Sequence, residues 1–318
     1  MISESTAKVP GPRQESLLAE IQDIVFRIPD KGLFLMILAP WLAIFYFVGN
    51  STFGYFDTAS LFSWLSQCYQ SPGADDEHGV LVPWVILGIL WWRRKEVEKI
   101  VPRNAPSILI LLALAMLVHI AGYILQQPRL SSIALFVGIY FICGLVWGWD
   151  FLRKSSFPFC LFIFAIPLTH LMEKVTIPLR FMATHLTVMF SKGVLGIKVV
   201  EEGTQIFDSA HTFHYDVAAA CSGIKSLLLM LFINTIFAFL SFNSWWKRVL
   251  IILLAIPLAI TCNIMRLSSI IVAAEAFQQK GGDFVHERLG IIFYIPAFVL
   301  LLLINHYFSE DAVRRENT

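Results

Sequence analysis

Charge is scarce in this chain. Asp, Glu, Lys and Arg make up 15% of its 318 residues, whereas hydrophobic residues reach 57%. A soluble domain carries about a quarter charged residues. With a mean hydropathy of +0.69, the chain reads as a polytopic membrane protein. The charge that is present nearly cancels, at a net +1, which excludes the basic footprint that nucleic-acid binding needs. Cysteine is sparse and scattered, as Cys68, Cys143, Cys160, Cys221 and Cys262, with no CxxC and no His-Cys spacing. Neither a disulfide framework nor a metal site is signalled, and no cofactor is called for. HExxH is missing, as are paired acidic and His motifs inside the apolar runs, which argues against an intramembrane metalloprotease. The first apolar run starts only near Leu33 and is too long for the core of a cleavable signal peptide.

What is present falls into a cytoplasmic N-terminal segment (1–32), a membrane domain (33–308) and a short tail (309–318). In the first, Leu17, Leu18, Ile21, Ile24, Val25 and Ile28 share one helical face, predicting an amphipathic interfacial helix. The spacing then predicts an all-α bundle of about eight spans. These run over about Leu33–Val48, Gly79–Trp92, Ser107–Leu125, Ser131–Trp149, Phe157–Leu171, Ile224–Leu240, Val249–Ala273 and Leu289–Tyr307. Between the fifth and sixth lies a mixed region from Glu173 to Ala220, whose first half, around PLRFMATHLTVMFSKGVLG, is amphipathic and interrupted by Pro178 and Gly193. The stretch up to Ala220 alternates like two or three short strands turning at Gly203.

Fifteen of the 24 basic residues, among them Arg93-Arg94-Lys95, Arg153-Lys154, Lys247-Arg248 and Arg314-Arg315, then fall on the side of both termini. Positive charge marks the cytoplasmic side. The loop before His78 and the segment 173–220 are therefore expected outside the cytoplasmic (inner) membrane.

The chemistry gathers at Ala218–Ser226, AAACSGIKS, where a strand-like segment meets the start of an apolar helix. A thiol at a helix start is favoured as thiolate by the first-turn N–H groups and the helix dipole. Ser222 lies in the same turn, Gly223 allows close approach, and Lys225 adds a cation one turn on. The plain alternative is that Cys221 is a small buried apolar residue. The alternating topology brings two further groups to the same outer layer. Arg266 lies about seven residues, roughly 10 Å, below the outer end of its span, and His286 lies just before the last span. A charge inside a span marks a functional site by default; Asn263, one turn earlier, could hold the guanidinium or simply make a helix–helix contact.

ACSGI at Cys221, NIMR ending in Arg266 and the lone His286 resemble the three signature motifs of the exosortase/archaeosortase family of membrane cysteine transpeptidases. HGVLVPWVILGILWWRRK from His78 is similar to that family's first-hairpin motif. Pro178-Leu179-Arg180 with Gly196 and Gly203 resemble its lead-in to the cysteine; the likeness covers roughly residues 70–305. The resemblance implies removal of a C-terminal sorting signal of the PEP-CTERM kind from exported proteins: a short motif, a transmembrane helix and a basic tail. It names Cys221, Arg266 and His286 as the catalytic set and implies transfer to an acceptor nucleophile, within membrane lipid. Asp75, Asp76, Glu77 and His78, together with Arg180, are expected near the substrate entrance. The rival from another class is a transporter or channel, which eight spans, Pro257 and an intramembrane Arg would also serve; no inverted repeat accompanies them.

Overall fold

The computed structural model describes residues 29–47, 60–70, 76–168, 173–208, 214–216, 224–288 and 290–308. The amphipathic helix expected before residue 29 and the tail 309–318 lie outside these residues. The helices are α1 (Lys31–Phe47), α2 (Leu61–Gln70), α3 (Val82–Trp92), α4 (Ile108–Ile124), α5 (Pro128–Trp147), α6 (Trp149–Cys160), α7 (Glu173–Gly193), α8 (Ile224–Ser241), α9 (Trp245–Arg288) and α10 (Ile295–Phe308). Short 3-10 turns at Glu77–Val80, Leu161–Ala165 and Gly290–Tyr294 precede α3, follow α6 and precede α10. Between α7 and α8 run three strands, β1 (Val199–Glu202), β2 (Gln205–Asp208) and β3 (His214–Asp216).

The all-α membrane class holds. Among the described residues, three helices are long and apolar enough to cross a membrane, namely α5, α8 and the Trp245–Val285 part of α9; α1, α3, α4 and Ile292–Ile304 are shorter apolar helices. The run expected over Phe157–Leu171 does not form one apolar helix. Its first residues belong to α6, which starts at Trp149 with Asp150, Arg153 and Lys154; the chain then tightens to 3-10 over Leu161–Ala165 and turns extended at Ile166. Two prolines account for this: Pro158 removes a helix donor, and Pro167 pushes the residue before it out of helical geometry. Conversely α7 runs straight through Pro178, which lies near its start.

Hydrogen bonds between elements gather at two ends of the bundle. At one, Trp147 donates its indole N–H to the Pro29 carbonyl, Trp149 to the Ser107 hydroxyl, and the Ala105 amide to Leu145. At the other, the Arg129 Nε donates to the Pro167 carbonyl at 2.9 Å and Tyr69 donates to the Ala165 carbonyl. Between these ends the interior is mostly apolar, crossed by the buried Trp41–Leu135, His119–Ser131 and Asn234–Ile251 hydrogen bonds. Phe45, Leu61, Trp64, Val82, Ile86, Leu135, Ile142, Leu161 and Phe232 form one core across α1–α6 and α8. Met230, Ala255 and Leu301 anchor a second among α8, α9 and α10. Outward-facing Leu35, Met36, Trp84, Leu117, Leu253 and Leu302 are exposed. A bilayer, not water, suits such a surface.

The strands pair antiparallel in the order β1-β2-β3. Glu202 stands opposite Gln205 across the two-residue turn Gly203-Thr204, where Gly203 takes a φ of +67°, the left-handed geometry that tight hairpin turns demand. Val199 and Ile206 point inward and join Ala183 and Val188 of α7 and Leu267, Ile270, Ile271 and Ala274 of α9 in a third core.

Candidate active site

The site is framed by the last long hairpin. Asn234 of α8, fully buried, donates its side-chain N–H to the Ile251 carbonyl of α9 at 2.8 Å. Carried along two antiparallel helices, that register puts Ile224 level with about residue 261. Arg266 then stands about five residues, roughly 7 Å, beyond the head of α8. Cys221, Ser222 and Gly223, like Asp75, lie outside the described residues. Chain connectivity alone keeps Cys221 within roughly 11 Å of Ile224, three residues at full extension. Arg266 is half-buried, and Asn263, one turn earlier, is buried at 2% exposure.

The α9 helix does not stop at Ala273 as its hydropathy suggested. It continues to a break at Phe277 and Gln278, where Gln278 adopts a φ of 60° and ψ of −166°. The ten residues that follow are helical again and fold back. A Cβ on Gly281 would come within 2.5 Å of the Ala273 carbonyl oxygen, and Val285 packs on the core containing Leu267 and Ile270. The backbone of His286 is thereby returned toward the turns of α9 that follow Arg266.

Two contacts grip the first turn of α8. The Lys225 ammonium lies 2.6 Å from a carboxylate oxygen of Glu77, with the two side chains 32% and 48% exposed. The Ser226 hydroxyl lies 2.8 Å from the hydroxyl of Tyr294, just before α10. Consecutive helical residues point about 100° apart, so the turn is held from two directions. The cation that the sequence places one turn after Cys221 is thus compensated by Glu77.

The segment that supplies Glu77 is itself anchored. Asp76, 4% exposed, accepts a hydrogen bond from the Leu168 amide at 3.2 Å. His78 is 8% exposed, its ring 6.2 Å from that of Phe232. Neither is a solvated loop residue; among the described entrance residues, Glu77 is the well-exposed one. Nearby, burial pushes the Cys68 thiol up to about 11, with the Asp76 carboxylate adding to the rise and Arg129 opposing it.

Arg180 is half-buried on α7. At four-, three- and four-residue steps it is followed by Thr184, Thr187 and Ser191, exposed at 1%, 0% and 0%. This polar stripe on a buried helix face was missed in the sequence, although its i, i+4, i+7, i+11 spacing is a readable signal. Beside it, Leu179, Met182 and Ala183 line a narrow apolar crevice of about 40 Å³ with Leu227, Ile260 and Asn263. On the sheet side, His185 and Glu201 pair at 3.1 Å and tie α7 to β1.

The model of the transmembrane exosortase family matches residues 64–303. The chain belongs to that family. No curated protein and no solved structure matches it. Membership identifies the exosortase as a membrane protein of a transpeptidase or protease family that processes exported proteins. The match spans the acidic segment at Asp76, the strands and the whole α8–α9 hairpin. The described part of the candidate site is a cation, Arg266, beyond the head of α8, a first turn of α8 held by Glu77 and Tyr294, and a folded-back segment whose backbone carries residue 286.

Proposed function

We propose that this exosortase is a cysteine transpeptidase that removes C-terminal sorting signals from exported proteins at the outer face of the cytoplasmic membrane. The observation that supports the reading is the register of the α8–α9 hairpin, which sets Arg266 about one turn and a half beyond Ile224, the residue three positions after Cys221 in the chain. In the proposed reaction the Cys221 thiolate attacks the scissile carbonyl carbon. Arg266, always charged and offering a planar fork of donors, stabilises the oxyanion that forms. The C–N bond then breaks, the departing amine takes a proton from protonated His286, and a thioester remains on Cys221. An acceptor nucleophile attacks that thioester while neutral His286 takes its proton, releasing the thiolate and restoring the starting state.

The substrate carries its short motif at the outer layer, its apolar helix among the spans and its basic tail in the cytoplasm, with both termini of the enzyme on the same side as that tail. The test is a processing assay with a co-expressed substrate of this design. Loss of processing in Cys221→Ala at matched membrane abundance is expected; full processing overturns the reading. A reporter fused at Gly203 is expected outside the cytoplasm.

A further inference from the structure

We infer that Glu77 is a positioning residue that sets the charge at the head of α8 by neutralising Lys225, and so limits how far the Cys221 thiol is activated in the resting enzyme. The inference deepens the reading above and rests on Cys221 being the nucleophile. Glu77 and Lys225 are 148 positions apart in the chain, yet their charged atoms meet at 2.6 Å. Both ends of the contact are fixed: Asp76 beside Glu77 is pinned to the Leu168 amide, and Ser226 beside Lys225 is joined to Tyr294. Lys225 is four residues from Cys221 in sequence. An uncompensated ammonium there would favour the thiolate; an uncompensated carboxylate would disfavour it. The pair keeps the sum of these two charges at zero. A substrate whose polar backbone or side chains engaged Glu77 would release Lys225, raising thiolate character only when the site is occupied.

The test needs no substrate and follows the rate of Cys221 alkylation by N-ethylmaleimide against pH, in the full-length protein in membranes. Wild type is compared with Glu77→Gln, Lys225→Met and the double variant. Asp76, His78, Arg129, Arg266 and Tyr294, which neighbouring elements bring to this end of the bundle, are kept in every variant. Glu77→Gln is expected to raise the rate at pH 7 about 3- to 10-fold, and Lys225→Met to lower it by a similar factor, matching a shift of about half to one pH unit in each direction. The double variant returns to within about twofold of wild type. High salt shrinks both differences, since the pair is partly exposed. Opposite signs that cancel in the double variant cannot come from mere loss of structure, which would move all three in the same direction. If all three variants change in the same direction, or none changes by more than about twofold, the inference is overturned. Loss of processing in Cys221→Ala alongside unchanged alkylation in Glu77→Gln would sink this inference while leaving the nucleophile assignment standing.

Discussion

Ser226, five residues after Cys221, and Tyr294, five residues before Val299 in the last helix, share a hydrogen bond of 2.8 Å between their hydroxyls. It is the tie between the head of α8 and the approach to α10, two elements that sequence separates by the entire α9 excursion. Tyr294→Phe removes one partner and keeps the ring. A neutral hydrogen bond is worth about 0.5–1.5 kcal/mol, so a small fall in the midpoint of thermal unfolding in detergent is expected. Ser226→Ala should give a similar fall, and the double variant little more than either single one, because both remove the same interaction.

Gly281→Ala tests the fold-back. The added methyl would meet the Ala273 carbonyl oxygen at 2.5 Å and Phe277 Cβ at 2.6 Å, backbone and near-backbone atoms that cannot rotate away. The segment carrying His286 must shift, and displacements of this size cost catalysis about 10²-fold. Processing should fall to that extent at unchanged membrane abundance, whereas Gly282→Ala, at a neighbouring helical position, gives the comparison.

The thiols should separate by pH. Cys68 is held near 11 by burial and by Asp76, both of which favour its neutral form, so at pH 8 only about one molecule in a thousand carries the thiolate. Its alkylation should stay slow through neutral pH and climb steeply above about pH 10. Buried Cys143 and Cys262 are expected to lag through lack of access. Mass-spectrometric profiling of alkylation should find Cys221 fastest near neutrality, and a faster Cys68 would contradict the shift.

Arg266 and His286 should fail differently. Arg266→Lys exchanges a planar fork for a point charge, and a substantial loss of processing is expected even though the charge survives. His286→Ala should lower turnover by roughly 10²- to 10⁴-fold, as loss of a general acid–base does. If release suffers more than acylation, a hydroxylamine-sensitive adduct builds up on Cys221, visible by intact-mass analysis.

Much of this arrangement is legible in sequence because hydropathy and glycine leave strong local marks. The runs over 33–48, 107–125 and 224–240 become helices with bounds close to those expected, and Gly203 turns its hairpin as predicted. What sequence concealed is long-range. Nothing local says that Asp76 will cap the Leu168 amide, that Glu77 will find Lys225, or that Tyr294 will meet Ser226. The run at 157–171 misled because mean hydropathy is blind to Pro158 and Pro167. The end of α9 misled because the apolar run stops near Ala273 while the helix continues to the break at Phe277.

The length of α9 bears on the depth proposed for its guanidinium. From Trp245 to Ala276, before the break, it rises about 48 Å at 1.5 Å per residue, against a hydrocarbon thickness of about 30 Å. Tilt alone would have to reach about 50°, beyond the range of about 0–40° that spanning helices adopt, so part of the rod must stand clear of the lipid. Exposed Trp245 and Trp246 suit one headgroup boundary, and Arg266 lies about 31 Å along the helix from Trp245. That is the far boundary itself, shallower than its expected depth of 10 Å below the helix end would put it. In the proposed reaction the cation would then work near the waterline, where its solvation cost is a fraction of that at the bilayer centre.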